Sequence, residues 1–177
     1  MTKAGRPGVG EFDFSHDAIK RHVEGSLERL GVDYIDVVSI HDAVHEGVDY
    51  IMSREGAFSA LADLRDQGVV RAIGSACYDP NLNAAYLETG EFDVAICSAS
   101  WSMINQTLRQ RVLPAAQKHN VGLVIGEPLE RGLLAVGYEP GRTYADRNFS
   151  QAVLDNVKQI QDPVSYTHLT LPTKRIV

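Results

Sequence analysis

The sequence predicts an α/β protein, a parallel sheet with helices packed against it. Two observations carry that expectation. Apolar residues alternate between helical spacing and short β-branched runs, and the runs begin about 24 to 35 residues apart, the interval of successive β-α-β units. The composition is that of an ordinary globular chain: 177 residues, 44% hydrophobic and 23% charged. Such a chain is long enough to bury a core and unlike collagenous, disordered or disulfide-scaffold sequences.

Taken in order, Ser15 is placed to cap a helix whose apolar residues Ile19, Val23, Leu27 and Leu30 lie on one face, with Gly31 as its stop. Tyr34–Ile40 is apolar and β-branched and reads as a buried strand. Gly56–Gln67 is a second helix carrying Phe58, Leu61 and Leu64 and closed by Gly68, and Val69–Ile73 is a second strand. Asp79-Pro80 starts a helix that runs to about Thr89, because proline at the first helical position gives up a donor that has no partner there. Asp93–Ser98 is the third strand. A helix follows within Thr107–His119, where Pro114 marks a kink or the true start. Val121–Gly126 is the fourth strand, and Ser150–Gln161 is the last helix. Four such strands suit either a small open doubly wound sheet or half of a (β/α)₈ barrel, which needs about 250 residues. Periodicity alone leaves both open.

Charge and hydropathy narrow the function classes. The chain has 17 basic and 23 acidic residues, a net charge of −6, and no cluster of Lys and Arg. Nucleic-acid binding is not expected, since phosphate neutralisation supplies most of that affinity. No apolar run reaches the roughly 18–20 residues that span a bilayer, and no charged-then-apolar leader opens the chain; a cytoplasmic protein without a membrane partner is expected. Cys77 and Cys97 sit in apolar runs and read as buried, reduced thiols. Residues 163–177, PVSYTHLTLPTKRIV, contain no acid and no sustained periodicity. They are set apart as an unstructured, adapter-like tail, which leaves 1–162 as a single domain with 15 basic and 23 acidic residues.

Three stretches carry a family resemblance: SLERLGVDYIDVVSIHD (Ser26–Asp42), LRDQGVVRAIGSACYD (Leu64–Asp79) and GLVIGEPLERGLL (Gly122–Leu134). Together they resemble the aldo-keto reductases, most of all the branch of D-threo-aldose, L-fucose and pyridoxal dehydrogenases, over roughly Thr2 to Asp162. The resemblance implies a partial (β/α)₈ barrel of about four to five parallel strands with helices outside. It also implies hydride transfer between NADP or NAD and the carbonyl of a small aldose or aldehyde substrate. Family catalysis gathers an Asp, a Tyr, a Lys and a His at the strand C-termini. The tyrosine moves the proton, the lysine held by the aspartate lowers the tyrosine pKa, and the histidine orients the substrate oxygen.

Two of the four have counterparts. His41 closes the strand YIDVVSIH, where the family has its histidine, and Lys3 in TKAGR matches the strand end that carries the family lysine. The aspartate and tyrosine lie upstream of that lysine in the family, so the chain is expected to be truncated at both ends and inactive alone. None of Tyr34, Tyr50, Tyr78 and Tyr86 is expected to take the tyrosine's role. For the cofactor, the resemblance assigns Ser98, Gly126 and the P-[LF]-x-x-G-L core made by Pro128, Leu129, Gly132 and Leu133. Ala76-Cys77 replaces the family's common Ser-Asn, Gly126 its stacking aromatic and Ser98 its glutamine, departures that favour the dehydrogenase branch. Trp101 stands at the position of a family tyrosine and is expected to line the substrate pocket.

Other signals are set aside. His41-Asp42-x-x-His45 has metal-like spacing, but its first histidine ends a strand, so no metal is expected. GRPGVG (Gly5–Gly10) lacks the strand, helix and Lys-Ser pair of a phosphate loop, and nothing local activates Cys77 as a nucleophile. Two readings from other classes remain at this point: a non-catalytic half-barrel that binds a partner or dimerises, and a complete small doubly wound nucleotide-binding domain.

Overall fold

The computed structural model describes residues 1–8, 10–139, 141, 144 and 148–166, of which 163–166 are described as backbone. The elements in chain order are β1 (Thr2–Ala4), α1 (His16–Leu30), β2 (Ile35–His41), α2 (Val48–Met52), α3 (Ala57–Asp66), β3 (Val70–Cys77), α4 (Pro80–Glu88), β4 (Val94–Ser98), α5 (Val112–His119), β5 (Gly122–Gly126), α6 (Leu133–Val136) and α7 (Gln151–Tyr166). The five strands form one sheet in the order β1-β2-β3-β4-β5, every neighbouring pair parallel. A doubly wound sheet reverses its strand order at a switch point; this order has no reversal, so the open-sheet alternative is excluded. The chain is an α/β fold with the strand succession of part of a barrel.

Several elements follow their local chemistry. Gly31 ends α1 in the left-handed region at φ 64°, its N–H shared between the Leu27 and Glu28 carbonyls. Asp79 caps α4 by accepting from the Asn81 N–H at 2.8 Å, with Pro80 next in the chain. Pro114 is the third residue of α5, where its missing donor costs nothing, and a 3₁₀ turn at Thr107–Arg109 precedes the helix. Ser15 precedes α1 as expected but does not cap it with its side chain; the hydroxyl donates to Asp13 Oδ1 at 2.7 Å instead.

Several elements differ from the sequence reading, among them α6, for which the periodicity gave no helix. β1 is three residues long, too short to show a period. α2 is five residues and sits in a stretch to which the sequence reading gave no element. β3 continues through Gly74, Ser75 and Ala76 to Cys77 rather than stopping at Ile73, because small and polar side chains are what its crowded neighbours admit. Gly74 pairs with Ser39 of β2, and a Cβ there would collide with the Ser39 side chain. At the other end, α7 runs to Tyr166, while residues 167–177 of the expected tail lie outside the described residues.

The described residues form two compact units. The first comprises 1–101 and 106–126 and holds the whole sheet; the second comprises 102–105 and the described part of 127–166. In the first, alternation divides the strand residues between two faces. One face packs on the helices: Ala4, Val38, Ile40, Ile73 and Cys77 join Ile19, Val23, Leu61 and Leu64, while Ala95 and Cys97 join Leu108, Val112 and Ala116. A buried polar clamp ties α4 to this face. Ser75 Oγ donates to Asn83 Oδ1 at 2.5 Å, and the Asn83 amide donates to the Ile96 carbonyl at 3.1 Å. The second unit has a core of its own around Leu133, Tyr144 and Val157.

Asn83→Ala would strand the Ser75 hydroxyl in the core and remove roughly 1–3 kcal/mol of stability. The midpoint of urea unfolding falls accordingly, with the slope of the transition unchanged.

Candidate functional site at the strand ends

The register places the predicted residues of the first unit together. Lys3 pairs with Ser39, Ser39 with Gly74, and Gly74 with Val94. His41 pairs with Ala76, Ala76 with Ile96, and Ile96 with Val124, while Ser98 pairs with Gly126. Since paired residues of parallel strands share a face, Lys3, His41, Ser98 and Gly126 all lie on the face opposite the helices. His41, Ser98 and Gly126 are the last residues of β2, β4 and β5, and Lys3 is one residue from the end of β1. Val124, on this face, stays 41% exposed although it is a strand valine.

Charge around His41 is asymmetric. Its imidazole is pushed below the ordinary histidine pKa first by burial, then by the Lys3 ammonium and more weakly by the Arg6 guanidinium, with the Asp42 carboxylate opposing them. Nε2 of His41 lies 3.5 Å from Asp42 Oδ2, and Arg6 Nη1 approaches the same oxygen at 3.8 Å. A neutral imidazole beside a cation suits hydrogen bonding to a carbonyl oxygen without adding a charge of its own. Cys77, the other candidate near this rim, is excluded as a nucleophile: burial, assisted by Asp42 and Asp79, pushes its thiol up to about 12.

At β4 and β5 the rim is built from small groups. A Cβ on Gly126 would stand 3.0 Å from Ser98 Oγ, so the absent side chain is what keeps the space beside that hydroxyl open. Ala99 N–H donates to the Gly126 carbonyl at 3.1 Å and prolongs this pairing one residue past the strand ends. Trp101 follows, half-buried against the Leu108 and Val112 cluster, with the Arg109 guanidinium 5.5 Å from its ring centroid.

In the second unit, Pro128–Leu133 is a tight turn. Glu130, Arg131 and Gly132 have φ of 48°, 54° and 96°, and Glu127 before them has 56°. The Glu130, Gly132 and Leu134 amides donate to the Glu127 and Leu129 carbonyls, and that of Leu133 to the Glu130 carbonyl. The amides of Leu129 and Arg131 are not spent in this way, and the Leu129 side chain is exposed. Amides in a turn of this kind can meet an anionic group. Leu133, by contrast, is fully buried in the core, and its carbonyl accepts from Gly137. Glu130 is buried and accepts a 2.6 Å hydrogen bond from Ser102 Oγ.

Two residues of the rim escaped the sequence reading as site residues. Arg6 lies in Gly5–Gly10, weighed only as a phosphate loop and set aside. Asp42 was weighed only as the middle of a metal-like motif, and the one local signal for it is that it follows a strand-terminal histidine. The structure separates that motif: His41 ends β2, whereas His45 lies in the following turn with its ring edge-on to Phe12 at 5.8 Å.

Comparison with known proteins bears on the same residues. The sequence profile of the aldo/keto reductase family matches residues 1–174, through much of the segment set apart above as a tail. The chain is 29% identical over 170 residues to the NADH-specific methylglyoxal reductase of Escherichia coli, covering 91% of this chain and 51% of that protein. It is 31% identical over 132 residues to the D-threo-aldose 1-dehydrogenase of a Pseudomonas species, covering 75% and 39%. Among solved structures, an aldo-keto reductase from Bacillus halodurans in its holo form is similar at a TM-score of 0.69 and 26% identity, covering 98% of this chain and 53% of that one. The chain thus spans about half or less of the length of these relatives.

Lys3→Met removes the cation that acts more strongly on His41. The His41 titration midpoint is then expected to rise toward that of an ordinary histidine, as followed by NMR of the imidazole carbons.

Proposed function

The chain belongs to the aldo/keto reductase family, and from that premise we propose that it carries part of the site of an NAD(P)-dependent oxidoreductase acting on the carbonyl of an aldose or small aldehyde. One observation supports this most directly: Lys3 and His41 share the helix-free face at the C-terminal ends of adjacent parallel strands, the end of a β/α barrel where active sites are built. The names of the relatives, a methylglyoxal reductase and an aldose dehydrogenase, agree with a small carbonyl compound as substrate.

In this proposal His41 binds and orients the carbonyl oxygen, and burial keeps its imidazole neutral for that task. Lys3 places positive charge beside the same oxygen, favouring the charge that develops there. The nicotinamide, NAD or NADP, supplies the hydride when bound. On the first unit Ser98 and Gly126 are assigned to the cofactor, Gly126 by leaving room and Ser98 by its hydroxyl. On the second unit the assignment falls to Pro128, Leu129 and Gly132 of the turn, with Leu133 as its buried anchor. Trp101 is assigned to the substrate side.

Proton transfer needs a further group. Tyr86 is fully buried on the helix side, where burial raises its pKa. Tyr34 precedes β2, with the Arg71 guanidinium 3.8 Å over its ring. Tyr50 lies on α2. The fourth, Tyr78, follows β3 and is 44% exposed. The resemblance gives none of these four the proton-transfer role, and on that reading turnover by this chain is proposed to fall roughly 10²–10⁴-fold short of a site with its proton donor in place.

Cofactor binding is the test that does not depend on turnover. Trp101 is the chain's single tryptophan. Adding NADH or NADPH is expected to quench its emission and sensitise that of the reduced nicotinamide, an effect absent in Trp101→Phe. No quenching by either nucleotide contradicts the proposal.

A further inference from the structure

Asp42 has an unusual conformation for a residue directly after a strand. Its φ is 49°, in the left-handed region that Asp tolerates better than most residues. In an extended chain, neighbouring side chains point to opposite faces. The left-handed turn cancels that alternation and brings the Asp42 carboxylate back to within 3.5 Å of His41 Nε2. The backbone is held on the sheet side by the Asp42 N–H, which donates to the Ala76 carbonyl at 2.8 Å.

The carboxylate then meets three chain segments at once. Oδ1 accepts from the Tyr78 N–H at 3.0 Å, tying the loop after β3 to the end of β2. Oδ2 faces both His41 Nε2 and, at 3.8 Å, Arg6 Nη1 from the loop after β1. The charged and titratable groups around His41 are Lys3 on β1, Arg6 on the loop after β1 and Asp42 itself. From the β3 side Cys77 is a buried, neutral thiol.

We propose that Asp42 is a positioning residue of the carbonyl-binding rim: its carboxylate faces His41 and draws the Arg6 guanidinium and the Tyr78 backbone into one arrangement around the ring. This deepens the proposed function and rests on the reading of His41 as the residue that binds the substrate oxygen. Asp42 acts through His41 in two ways. It fixes the loops on either side of the imidazole, and it sets a negative charge against two cations that would otherwise make protonation of the ring still harder. Without the carboxylate the ring would face Lys3 and Arg6 uncompensated, and the loop after β3 would lose its tether to β2.

Asn can adopt the same backbone conformation and accept the Tyr78 N–H, but it carries no charge, so Asp42→Asn separates the electrostatic part from the tether. The experiment is an NMR pH titration of the unliganded protein, with His22 as internal control because its charged neighbours are Asp13 and Arg21. In Asp42→Asn the His41 midpoint is expected to move to lower pH while His22 stays in place and the Tyr78 amide resonance is retained. Asp42→Ala is expected to shift the Tyr78 amide as well. A His41 midpoint in Asp42→Asn indistinguishable from wild type overturns the proposal. Should the Asp42 variants fail to fold, Arg6→Gln decides: removing that cation should raise the His41 midpoint, and an unmoved or lowered midpoint overturns the proposal. Nucleotide quenching of Trp101 is read separately. Its loss with the His41 shift intact sinks the oxidoreductase reading and spares the coupling, whereas an intact quench without the shift does the reverse.

Discussion

Everything at the candidate site depends on the parallel register that sets Ser39 of β2 between Lys3 and Gly74. Strand side chains alternate, so one register decides at a stroke which residues are spent on the core and which stand clear of it. Here Val38, Ile40 and Ile73 go to the helices, and Lys3, His41, Ser98 and Gly126 to the opposite face. A slip of one residue in β2 would bury His41 among α1 and α3 and expose Ile40. The cost of exposing isoleucine and valine side chains, about 1.5–3 kcal/mol each, is what holds the imidazole at the rim.

The electrostatic character of the rim follows from that placement. Two cations stand near a largely covered histidine, and a single carboxylate from the next residue along the chain moderates them. The thiol of Cys77 one strand away is pushed the other way by the same low-polarity surroundings, toward an inert neutral form. Burial thus keeps both groups uncharged near neutral pH, but only the imidazole can then donate or accept a hydrogen bond to an oxygen with useful strength.

Much of the fold was legible in the sequence, because long amphipathic helices and β-branched strands announce themselves through their periods. The helices with Ile19–Val23–Leu27 and Phe58–Leu61–Leu64, and the strands through Val38, Ala95 and Val124, lie where the periodicity puts them. What escaped was short or atypical. β1 has too few residues for a period, and the end of β3 is made of Gly74, Ser75 and Ala76, whose small side chains resemble a turn until the crowding by Ser39 is visible. The first-unit site residues were legible only as a resemblance. Lys3 and His41 have no local property that marks them, and it is the register between strands remote in sequence that brings them to one face. Asp42 and Arg6 were less legible still, since their meeting requires both a left-handed backbone turn and the approach of two loops.

His41 projects from the helix-free face of the sheet, beside Ala76 of the neighbouring strand. Isotope-edited NOE spectroscopy of the His41 ring tests it most directly. Cross-peaks from the ring to the Ala76 methyl, and none to Ile19, Val23 or Leu61 of the helix-packed core, are the predicted result. Contacts from the ring to those core side chains would mean that β2 is turned the other way, and the site described above would not exist.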